Sequence, residues 1–458
     1  MEGWLTAACD YIERWIAFQI RHQEQPGCVV ALAYRGEVVF EQAFGRSGNA
    51  AAEPLTPRHR FRVASHSKSF TAAAIMKLRE EGVLRLDDPV GRFVEGLHPS
   101  IAEATLAQLL SHSAGLVRDG TDSGQFLDRR PFRDRDELMA DLAEAPTIEA
   151  GLRFKYSNHG YGLLGQVIEA ITGEAYGAWI KREILLPAGL EETEPDITTV
   201  GPAPRALGHS AKLPLGRRTV IPGDSPTHAL ACATGFVSTA RDLVTFFGQL
   251  SPKAERSLLS AASRREMFRR QWRDPDSSIE RYYGLGVISG PIGDWAWYGH
   301  SGSFQGFITR TTVLPDQDLT VSVLTNAVDG LAQPWIDGIR HILKTFAEQG
   351  APSAKVQNWT GRWWSLWGAV DLVGLGDRAV AALPATFTPF LDADAIEVTG
   401  PDSGRIEQAS GLSRYGEPAR LSRDETGEPR ELWLGGAKLL PETALQEEMQ
   451  ARYEAAAD

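Results

Sequence analysis

Apolar residues near the start of the chain recur every three or four positions. They are Trp4, Ala8, Tyr11, Ile12, Trp15 and Ile16. This period predicts an amphipathic helix that packs on the body of the protein. Acidic residues interrupt the apolar ones and no basic segment precedes them, so the segment does not resemble a signal peptide. No run of about 18 apolar residues indicates a membrane span, and we expect a cytoplasmic protein.

Two pairs of strands are predicted from apolar runs in the first three quarters of the chain. Residues 29–34 and 38–41 form the first pair, and residues 308–314 and 319–325 form the second. Each pair is separated by a short turn and is typical of a β-hairpin. Helical spacing dominates residues 65–190. The pattern therefore predicts an α/β (α+β) sandwich, in which helices cover an antiparallel sheet built from both ends of this region.

The pattern changes near residue 350. Residues 349–354 read as a linker, which divides the chain into a first domain, 1–348, and a second domain, 355–458. Short alternating runs in the second domain are separated by Gly, Pro and Asp and predict a small antiparallel β-barrel. The runs are residues 362–367, 370–374, 378–383, 419–421 and 431–439.

Four tryptophans stand close together at the start of the second domain. Trp359, Trp363, Trp364 and Trp367 would line a ligand cavity or, as is commoner for such a cluster, form the core of the barrel. We favour the core. We expect this domain to restrict access to a cleft of the first domain rather than to supply chemistry.

Composition excludes several classes of partner. The chain has 458 residues and a net charge of −12, whereas nucleic acids and anionic membranes require basic surface. Cys9, Cys28 and Cys232 form no CxxC or Cys/His cluster, so we predict packing roles for them, no metal site and no cofactor. A small molecule or a short peptide is the expected partner, and homo-oligomerisation stays open.

The segment around Ser65 has the features of an activated nucleophile. An extended run, residues 61–64, leads into an Ala-rich run with helical spacing, residues 69–78. Residues three apart share a helix face, which places Lys68 one turn after Ser65. Burial disfavours the lysine ammonium, so Lys68 would accept the proton of Ser65. In the alternative, Ser65 only caps the helix and Lys68 is solvated.

Tyr156 and Asn158 lie on a connector before another apolar helix, where catalytic groups are often presented. A phenol near a lysine ammonium ionises below its usual pKa of about 10, so Tyr156 would take the serine proton or relay one to the leaving group. Asn158 offers both a donor and an acceptor, enough to orient Lys68 and hold a substrate amide. In the alternative, Tyr156 packs in a turn and Asn158 bonds its own backbone.

A third group of candidates surrounds His300. The glycines here allow a ligand backbone to approach a strand closely, so we predict that Ser301 and Gly302 bind substrate. His300 would donate to a substrate carboxylate or assist proton transfer, unless it is structural. The backbone N–H of Ser303 would complete an oxyanion hole with that of Ser65.

Two loops are predicted to lie at the same site. Residues 118–141 are rich in Arg and Asp and read as a loop or lid over the site. Residues 202–226 are rich in Pro and Gly and read as a further loop that lines it.

Taken together, these segments resemble the serine β-lactamase and penicillin-binding-protein superfamily. Ser65-His66-Ser67-Lys68, Tyr156-Ser157-Asn158 and His300-Ser301-Gly302 resemble its S-x-x-K, Y-x-N and K/H-x-G motifs, in that order. Residues 109–116 and 234–243 resemble two further segments of the family. The likeness covers about residues 10–345 and is greatest for the branch with class C β-lactamases, D-aminopeptidases, DD-carboxypeptidases and family VIII carboxylesterases. The second domain resembles the lipocalin-like domain of some D-aminopeptidase-like members.

The resemblance implies a β-lactamase/DD-peptidase-like fold and a role for each motif residue. Ser65 would be the acylated nucleophile, Lys68 its partner base and Tyr156 the general base and acid, with Asn158 positioning substrate and lysine. His300 stands where many members carry lysine. A histidine at this position resembles the D-peptidase and D-aminopeptidase branch. We identify no counterpart of the deacylating glutamate of class A β-lactamases, so efficient penicillin turnover is not expected.

We therefore predict a serine hydrolase that forms an acyl-enzyme on Ser65. The favoured substrates are short peptides or amides that contain D-residues. The alternatives are a carboxylesterase acting on small esters and a penicillin-binding-protein-type peptide cyclase, which passes the acyl group to an internal amine. A non-catalytic sensor or assembly protein is disfavoured, because no catalytic residue of the family pattern is lost.

Overall fold

A computed structural model of the chain describes residues 2–48, 53–197, 203–291, 294–409 and 412–454. Contacts between residues divide the chain into two units, Met1–Glu24 with Asp337–Asp458, and Gln25–Ile336. The predicted N-terminal helix is thus grouped with the C-terminal part of the chain, an association between distant segments that periodicity does not indicate. The predicted limits, 1–348 and 355–458, stay a prediction, because grouping by contact does not test which segments fold independently.

The regular elements of the described ranges are numbered in chain order. The α-helices α1 to α12 are Gly3–His22, Ser67–Glu80, Pro99–Ala102, Leu106–Leu110, Arg135–Leu142, Asn158–Thr172, Tyr176–Ile180, Leu186–Ala188, Ala240–Gln249, Ala261–Phe268, Ala332–Gln349 and Glu442–Met449. The strands β1 to β20 are Gly27–Tyr34, Glu37–Gly45, Phe61–Arg62, Gly208–His209, Val220–Ile221, Val237–Ser238, Trp272–Arg273, Tyr282–Tyr283, Ile288–Ser289, Tyr298–Phe304, Phe307–Leu314, Leu319–Thr325, Gly361–Ser365, Gly368–Leu375, Arg378–Ala382, Asp394–Gly400, Ser403–Gln408, Pro418–Arg423, Pro429–Leu434 and Ala437–Leu439. None of the described helices is both long enough and apolar enough to cross a lipid bilayer.

An antiparallel sheet of eight strands forms the centre of the unit Gln25–Ile336. Its strand order is β2-β1-β12-β11-β10-β9-β8-β7. Both predicted hairpins are present, β1 with β2 and β11 with β12. Strand β1 also pairs with β12, which confirms that the sheet is built from both ends of the region. Because β1 and β12 are buried on both faces along nearly their whole length, they occur in the sequence as continuous apolar runs.

Aromatic packing fixes helix α2 in this unit. The ring of Phe70 lies 4.6 Å from that of Phe236 and 3.9 Å from that of Phe246, and both pairs are nearly parallel. Phe246 belongs to α9, which packs against β1 and β12. At the start of α2, the Ser67 hydroxyl donates to the carbonyl of Ala64 at 2.5 Å and accepts from the N–H of Phe236 at 3.0 Å. The N-terminal turn of α2 is therefore held from two sides.

The predicted C-terminal barrel is confirmed. Strands β13 to β20 pair in sequence order as an eight-stranded antiparallel sheet, and a bridge between Trp364 and Leu440 joins its two edges. The predicted run 431–439 is two strands, because the chain turns at Gly435, whose φ is 58°. Strands β16 and β17 were not predicted, since the Gly, Pro and Asp residues around them are typical of loops.

The tryptophans of the barrel mostly form its core. Trp359 and Trp363 are buried in the cluster that fills the barrel, together with Leu372, Ile396 and other apolar side chains. Trp364 is half-buried. Trp367 is 96% exposed, so the four residues do not act as one group.

We predict that Phe246→Ala destabilises the protein by about 3–5 kcal/mol, because it removes a fully buried ring that stacks on Phe70. The measurement is the urea unfolding midpoint, followed by circular dichroism. Leu213→Ala is the control, since Leu213 is 93% exposed and its truncation changes stability by about 0.5 kcal/mol or less. Equal midpoints for the two variants would contradict the packing described above.

Candidate active site

A cavity of about 920 Å³ opens in the unit Gln25–Ile336. The predicted site residues on its wall are Ser65, Tyr156, Asn158, His300, Ser301 and Ser303. Lys68 lies behind Ser65 and is fully buried. The structure therefore brings together the three motifs, which lie as far apart as residues 65 and 300 in the sequence.

Ser65 sits on a strained turn that is held to the sheet. It belongs to a 3-10 turn, Ala64–His66, that precedes α2, and the φ of Ala64 is 47°, in the left-handed region. The His66 ring bonds the carbonyl of Val63 through Nδ1 at 2.9 Å and the Thr311 hydroxyl of β11 through Nε2 at 3.0 Å. Burial lowers the pKa of His66 to about 3, so this ring is neutral. The alternative of a capping serine is wrong, because His66 occupies the N-cap position of α2 and Ser65 makes no capping bond.

Lys68 makes three polar contacts that suit a neutral amine. Its Nζ lies 3.1 Å from Ser65 Oγ, 2.7 Å from Asn158 Oδ1 and 2.7 Å from the carbonyl oxygen of Ala233. Burial lowers the pKa of Lys68 to about 7, against the opposing effect of the Asp119 carboxylate. The amide and carbonyl oxygens only accept, so they occupy two N–H groups of the amine. The lone pair of the neutral form is then left for the hydroxyl of Ser65.

Tyr156 meets the nucleophile as a hydrogen-bond donor. Its hydroxyl lies 2.7 Å from Ser65 Oγ. The prediction of a lowered pKa is wrong, because burial raises the pKa of Tyr156 and outweighs the lowering by the Ser65 hydrogen bond and by Arg118. The phenol therefore keeps its proton at neutral pH. Lys68 Nζ lies 4.8 Å from the centre of the Tyr156 ring, which favours the ammonium form when Lys68 takes up a proton.

Asn158 is held by an acid that sequence reasoning missed. Asn158 is the first residue of α6, and its Nδ2 donates to Asp119 Oδ1 at 2.5 Å. This bond fixes the amide so that Oδ1 faces Lys68. Asp119 is buried and comes from the loop 118–141, which was predicted to lie at the site. Asp119 was missed because it follows Arg118 in the sequence, and adjacent opposite charges are typical of an exposed surface. In the structure Arg118 lies 3.1 Å from the Asp119 carboxylate.

His112 is a second residue that the sequence did not single out, although it lies in the segment 109–116 that carries the family likeness. Its carbonyl accepts from the N–H of Lys155 at 2.7 Å, and its Nδ1 accepts from the N–H of Ser157 at 3.2 Å. Its ring lies 4.1 Å from that of Tyr156, between centroids. One residue thus holds the backbone on both sides of Tyr156 and packs against its phenol. The φ of His112 is 58°, because His112 stands at the left-handed position that ends α4, where its N–H bonds the carbonyl of Leu109 at 3.2 Å.

His300 lies in the cavity wall but is engaged by neighbouring groups. It is on β10, 1% exposed, with Nε2 3.0 Å from the hydroxyl of Tyr283 and Nδ1 bonded to the backbone of Ser301. Burial, followed by the nearby His66 and Lys68, lowers the pKa of His300 well below its usual value. The ring is therefore neutral.

Gly302 allows β10 to approach the nucleophile turn. A Cβ at this position would lie 2.1 Å from the carbonyl oxygen of Val63 and 2.5 Å from the Thr309 hydroxyl. A side chain here would push β10 away from the turn that carries Ser65. Packing therefore requires a glycine at position 302, in addition to the predicted close approach of a ligand.

Other predictions about the site have mixed outcomes. The loop 118–141 contributes Arg118, Asp119, Ser123, Phe126 and Leu127 to the cavity wall. The loop 202–226 does not line the cavity in its described part, residues 203–226, so that prediction is wrong.

Cys9, Cys28 and Cys232 are free and buried. Within the described ranges, no group of three His, Cys, Asp or Glu side chains is arranged to hold a metal ion.

Comparisons with known proteins agree with this geometry. A sequence model of the Beta-lactamase family matches residues 12–343. Esterase EstB of Burkholderia gladioli is 27% identical over 369 residues, which cover 70% of this chain and 91% of that protein. The octameric penicillin-binding protein homologue from Pyrococcus abyssi is similar over 94% of this chain and 99% of its own, with a TM-score of 0.65 and 25% identity. A D-stereospecific amidohydrolase from Streptomyces sp. is similar over 69% of this chain and 93% of its own, with a TM-score of 0.58 and 26% identity.

We predict that His112→Ala lowers kcat by about 100-fold with little change in KM, because the hydroxyl of Tyr156 loses its fixed position. His112→Asn retains more activity, since asparagine tolerates a positive φ and its Oδ1 can accept from Ser157. The measurement is steady-state hydrolysis of p-nitrophenyl butyrate.

The control is His209→Asn, because His209 is also a buried histidine whose ring bonds the backbone, here the carbonyls of Asn326 and Gly48. It is expected to lower the melting temperature without a comparable loss of kcat. A wild-type kcat in His112→Ala would show that Tyr156 does not depend on this residue.

Proposed function

We propose that this chain, which belongs to the Beta-lactamase family, is a serine hydrolase that forms its acyl-enzyme on Ser65. One observation carries the assignment of Ser65. Its Oγ lies within hydrogen-bond distance of two groups that exchange protons, Lys68 Nζ at 3.1 Å and the Tyr156 hydroxyl at 2.7 Å. A serine needs such a neighbour to act as a nucleophile at neutral pH.

In the proposed acylation, neutral Lys68 removes the proton of Ser65 as Oγ attacks the substrate carbonyl. The bond from the carbonyl carbon to the leaving nitrogen or oxygen then breaks. Tyr156 gives its proton to the leaving atom, and the ammonium of Lys68 returns a proton to the phenolate. In deacylation, water attacks the acyl carbon and loses a proton to Lys68, Ser65 Oγ leaves with a proton from Tyr156, and the ammonium of Lys68 returns a proton to the phenolate. Asn158, which is held by Asp119, keeps the amine of Lys68 in position for both acylation and deacylation.

The oxyanion of each tetrahedral intermediate is proposed to lie between the backbone N–H groups of Ser65 and Ser303. Both residues are on the cavity wall. The close approach of β10 to the nucleophile turn at Gly302 supports this pairing. Such donors stabilise charge where it develops in the transition state. Ser301 and Gly302 are proposed to contact the substrate beside them, and His300 is proposed to hold the wall through Tyr283.

Short peptides or amides with D-residues are the leading substrate proposal. The likeness to the Streptomyces D-stereospecific amidohydrolase, at 26% identity over 93% of that chain, supports it. A carboxylesterase is the second candidate, supported by the 27% identity to EstB over 91% of that protein. A homo-oligomer is also proposed, since the Pyrococcus abyssi homologue is octameric.

We predict that Ser65→Ala lowers kcat/KM by at least about 1,000-fold, because the nucleophile is lost. The substrates are D-alanine p-nitroanilide, L-alanine p-nitroanilide and p-nitrophenyl butyrate, with circular dichroism to verify the fold. Turnover within tenfold of wild type would rule out Ser65 as the nucleophile. Cleavage of the D-anilide over the L-anilide supports the leading substrate class, and cleavage of the ester alone supports the esterase.

We predict that kcat/KM rises with pH through a pKa of about 7, as Lys68 becomes neutral. The Asp119 carboxylate raises the pKa of Lys68, so Asp119→Asn lowers it, and the acidic limb moves to lower pH by about one unit. The pH profile of p-nitrophenyl butyrate hydrolysis measures the shift. Asp276→Asn removes the same charge elsewhere on the wall, where Asp276 bonds Arg153 at 2.8 Å, and is expected to leave the limb in place. A limb that moves to higher pH in Asp119→Asn would contradict Lys68 as the base.

A further inference from the structure

Among the residues that the structure describes, the cavity wall has one more basic side chain than acidic side chains. Its described basic side chains, apart from neutral His300, are Arg118, Arg153, Lys155 and Arg281, and its described acids are Asp119, Asp274 and Asp276. The protein as a whole has a net charge of −12. A positive excess at the cavity, in a chain with so many more acids than bases, indicates an anionic group in the ligand.

The excess charge can be assigned to Lys155. Each arginine of the wall is paired with one acid of the wall, whereas no carboxylate of the described residues lies within ion-pair distance of Lys155. Burial lowers the pKa of Lys155, and the Arg118 guanidinium lowers it more than the Asp119 carboxylate raises it. The arginine pairs are Arg118 with Asp119 at 3.1 Å, Arg153 with Asp276 at 2.8 Å, and Arg281 with Asp274 at 2.9 Å.

Lys155 is also well placed beside the reacting groups. It directly precedes Tyr156, whose hydroxyl bonds Ser65, and its N–H is fixed to the carbonyl of His112 at 2.7 Å. Its side chain is half-buried, so the ammonium is partly desolvated and interacts more strongly with an anion than a fully exposed lysine does. His300, which was predicted to donate to a substrate carboxylate, is buried with its Nε2 on Tyr283.

We propose that Lys155 binds a carboxylate of the substrate. The proposal rests on the proposed acyl transfer at Ser65 and deepens it. Because an arginine holds each described acid of the wall, a free ammonium on the substrate finds no unpaired partner there, whereas a free carboxylate finds Lys155. Among peptides with D-residues, the cavity then selects those that present a terminal carboxylate over those that present a free amino terminus.

The test compares three ligands of different charge, of which the acid and the neutral amide have the same size. N-acetyl-D-alanine carries a carboxylate, N-acetyl-D-alaninamide is neutral, and D-alaninamide carries an ammonium. Dissociation constants are measured by calorimetry on the full chain with Ser65→Ala, which removes the nucleophile so that the two amides are not hydrolysed, and on the same chain with Lys155→Arg or Lys155→Met added. Competition with p-nitrophenyl butyrate hydrolysis shows whether each ligand occupies the cavity of Ser65.

The full chain is expected to bind N-acetyl-D-alanine about tenfold more tightly than the neutral amide, as for a hydrogen bond to a charged group. Lys155→Arg keeps this ratio because the charge is retained, and Lys155→Met brings it close to one. Equal binding of acid and amide by the full chain would overturn the proposal, as would tightest binding of D-alaninamide or an unchanged ratio in Lys155→Met. Because each ratio is taken within one variant, a general loss of stability does not imitate the effect.

Failure of the proposed function would be recognised separately. If p-nitrophenyl butyrate hydrolysis does not depend on Ser65, the acyl-transfer proposal fails, while the calorimetric ratio still decides the role of Lys155. If hydrolysis depends on Ser65 and the ratio is one in the full chain, only the carboxylate site is refuted.

Discussion

The burial of the Lys68 amine is the constraint on which the rest of the site depends. A buried ammonium loses its hydration. For Lys68 the oxygens of Asn158 and Ala233, which are neutral, and the more distant Asp119 carboxylate replace this hydration only in part. The oxygens of Asn158 and Ala233 orient the amine, and the Asp119 carboxylate raises the pKa of Lys68 against the effect of burial. The stacking of Phe70 on α9 keeps the helix that carries Lys68 in place. The packing that holds α2 in place therefore also sets the pKa of Lys68.

The same dry surroundings act in opposite directions on two neighbouring groups. Loss of water favours the uncharged form of each group, so the pKa of Lys68 falls and that of Tyr156 rises. Once the pH is above the pKa of Lys68, about 7, the site therefore holds a base and an acid, both uncharged, that both contact Ser65 Oγ. A pair of groups whose pKa values are driven apart is how one site supplies both proton acceptance and proton donation. No fixed charge next to the nucleophile is required.

Local patterns together with the family resemblance predicted the motif residues, both hairpins of the central sheet and the helices α1, α2 and α6. Lys68 follows Ser65 by three residues where the 3-10 turn Ala64–His66 continues into α2, so their meeting follows from local helical geometry. Asp119 and His112 were missed because their partners, Asn158 and Ser157, are 39 and 45 residues away and only the tertiary fold joins them. The lowered pKa predicted for Tyr156 failed for a similar reason, since burial is a property of the packed structure. The grouping of residues Met1–Glu24 with the C-terminal unit also depends on contacts between distant segments.

The pairing of β1 with β12 sets the order in which this enzyme can mature on the ribosome. Tyr34 pairs with Leu319 and Cys28 with Thr325, so the central sheet stays open until nearly three hundred further residues have been synthesised. Until then β1 and β2 expose apolar faces and an unpaired strand edge, which favours aggregation. Contacts so distant in sequence also slow folding. The groups proposed to carry out acyl transfer lie on segments between these two strands, so they gain their geometry only after the last strand of the sheet has emerged.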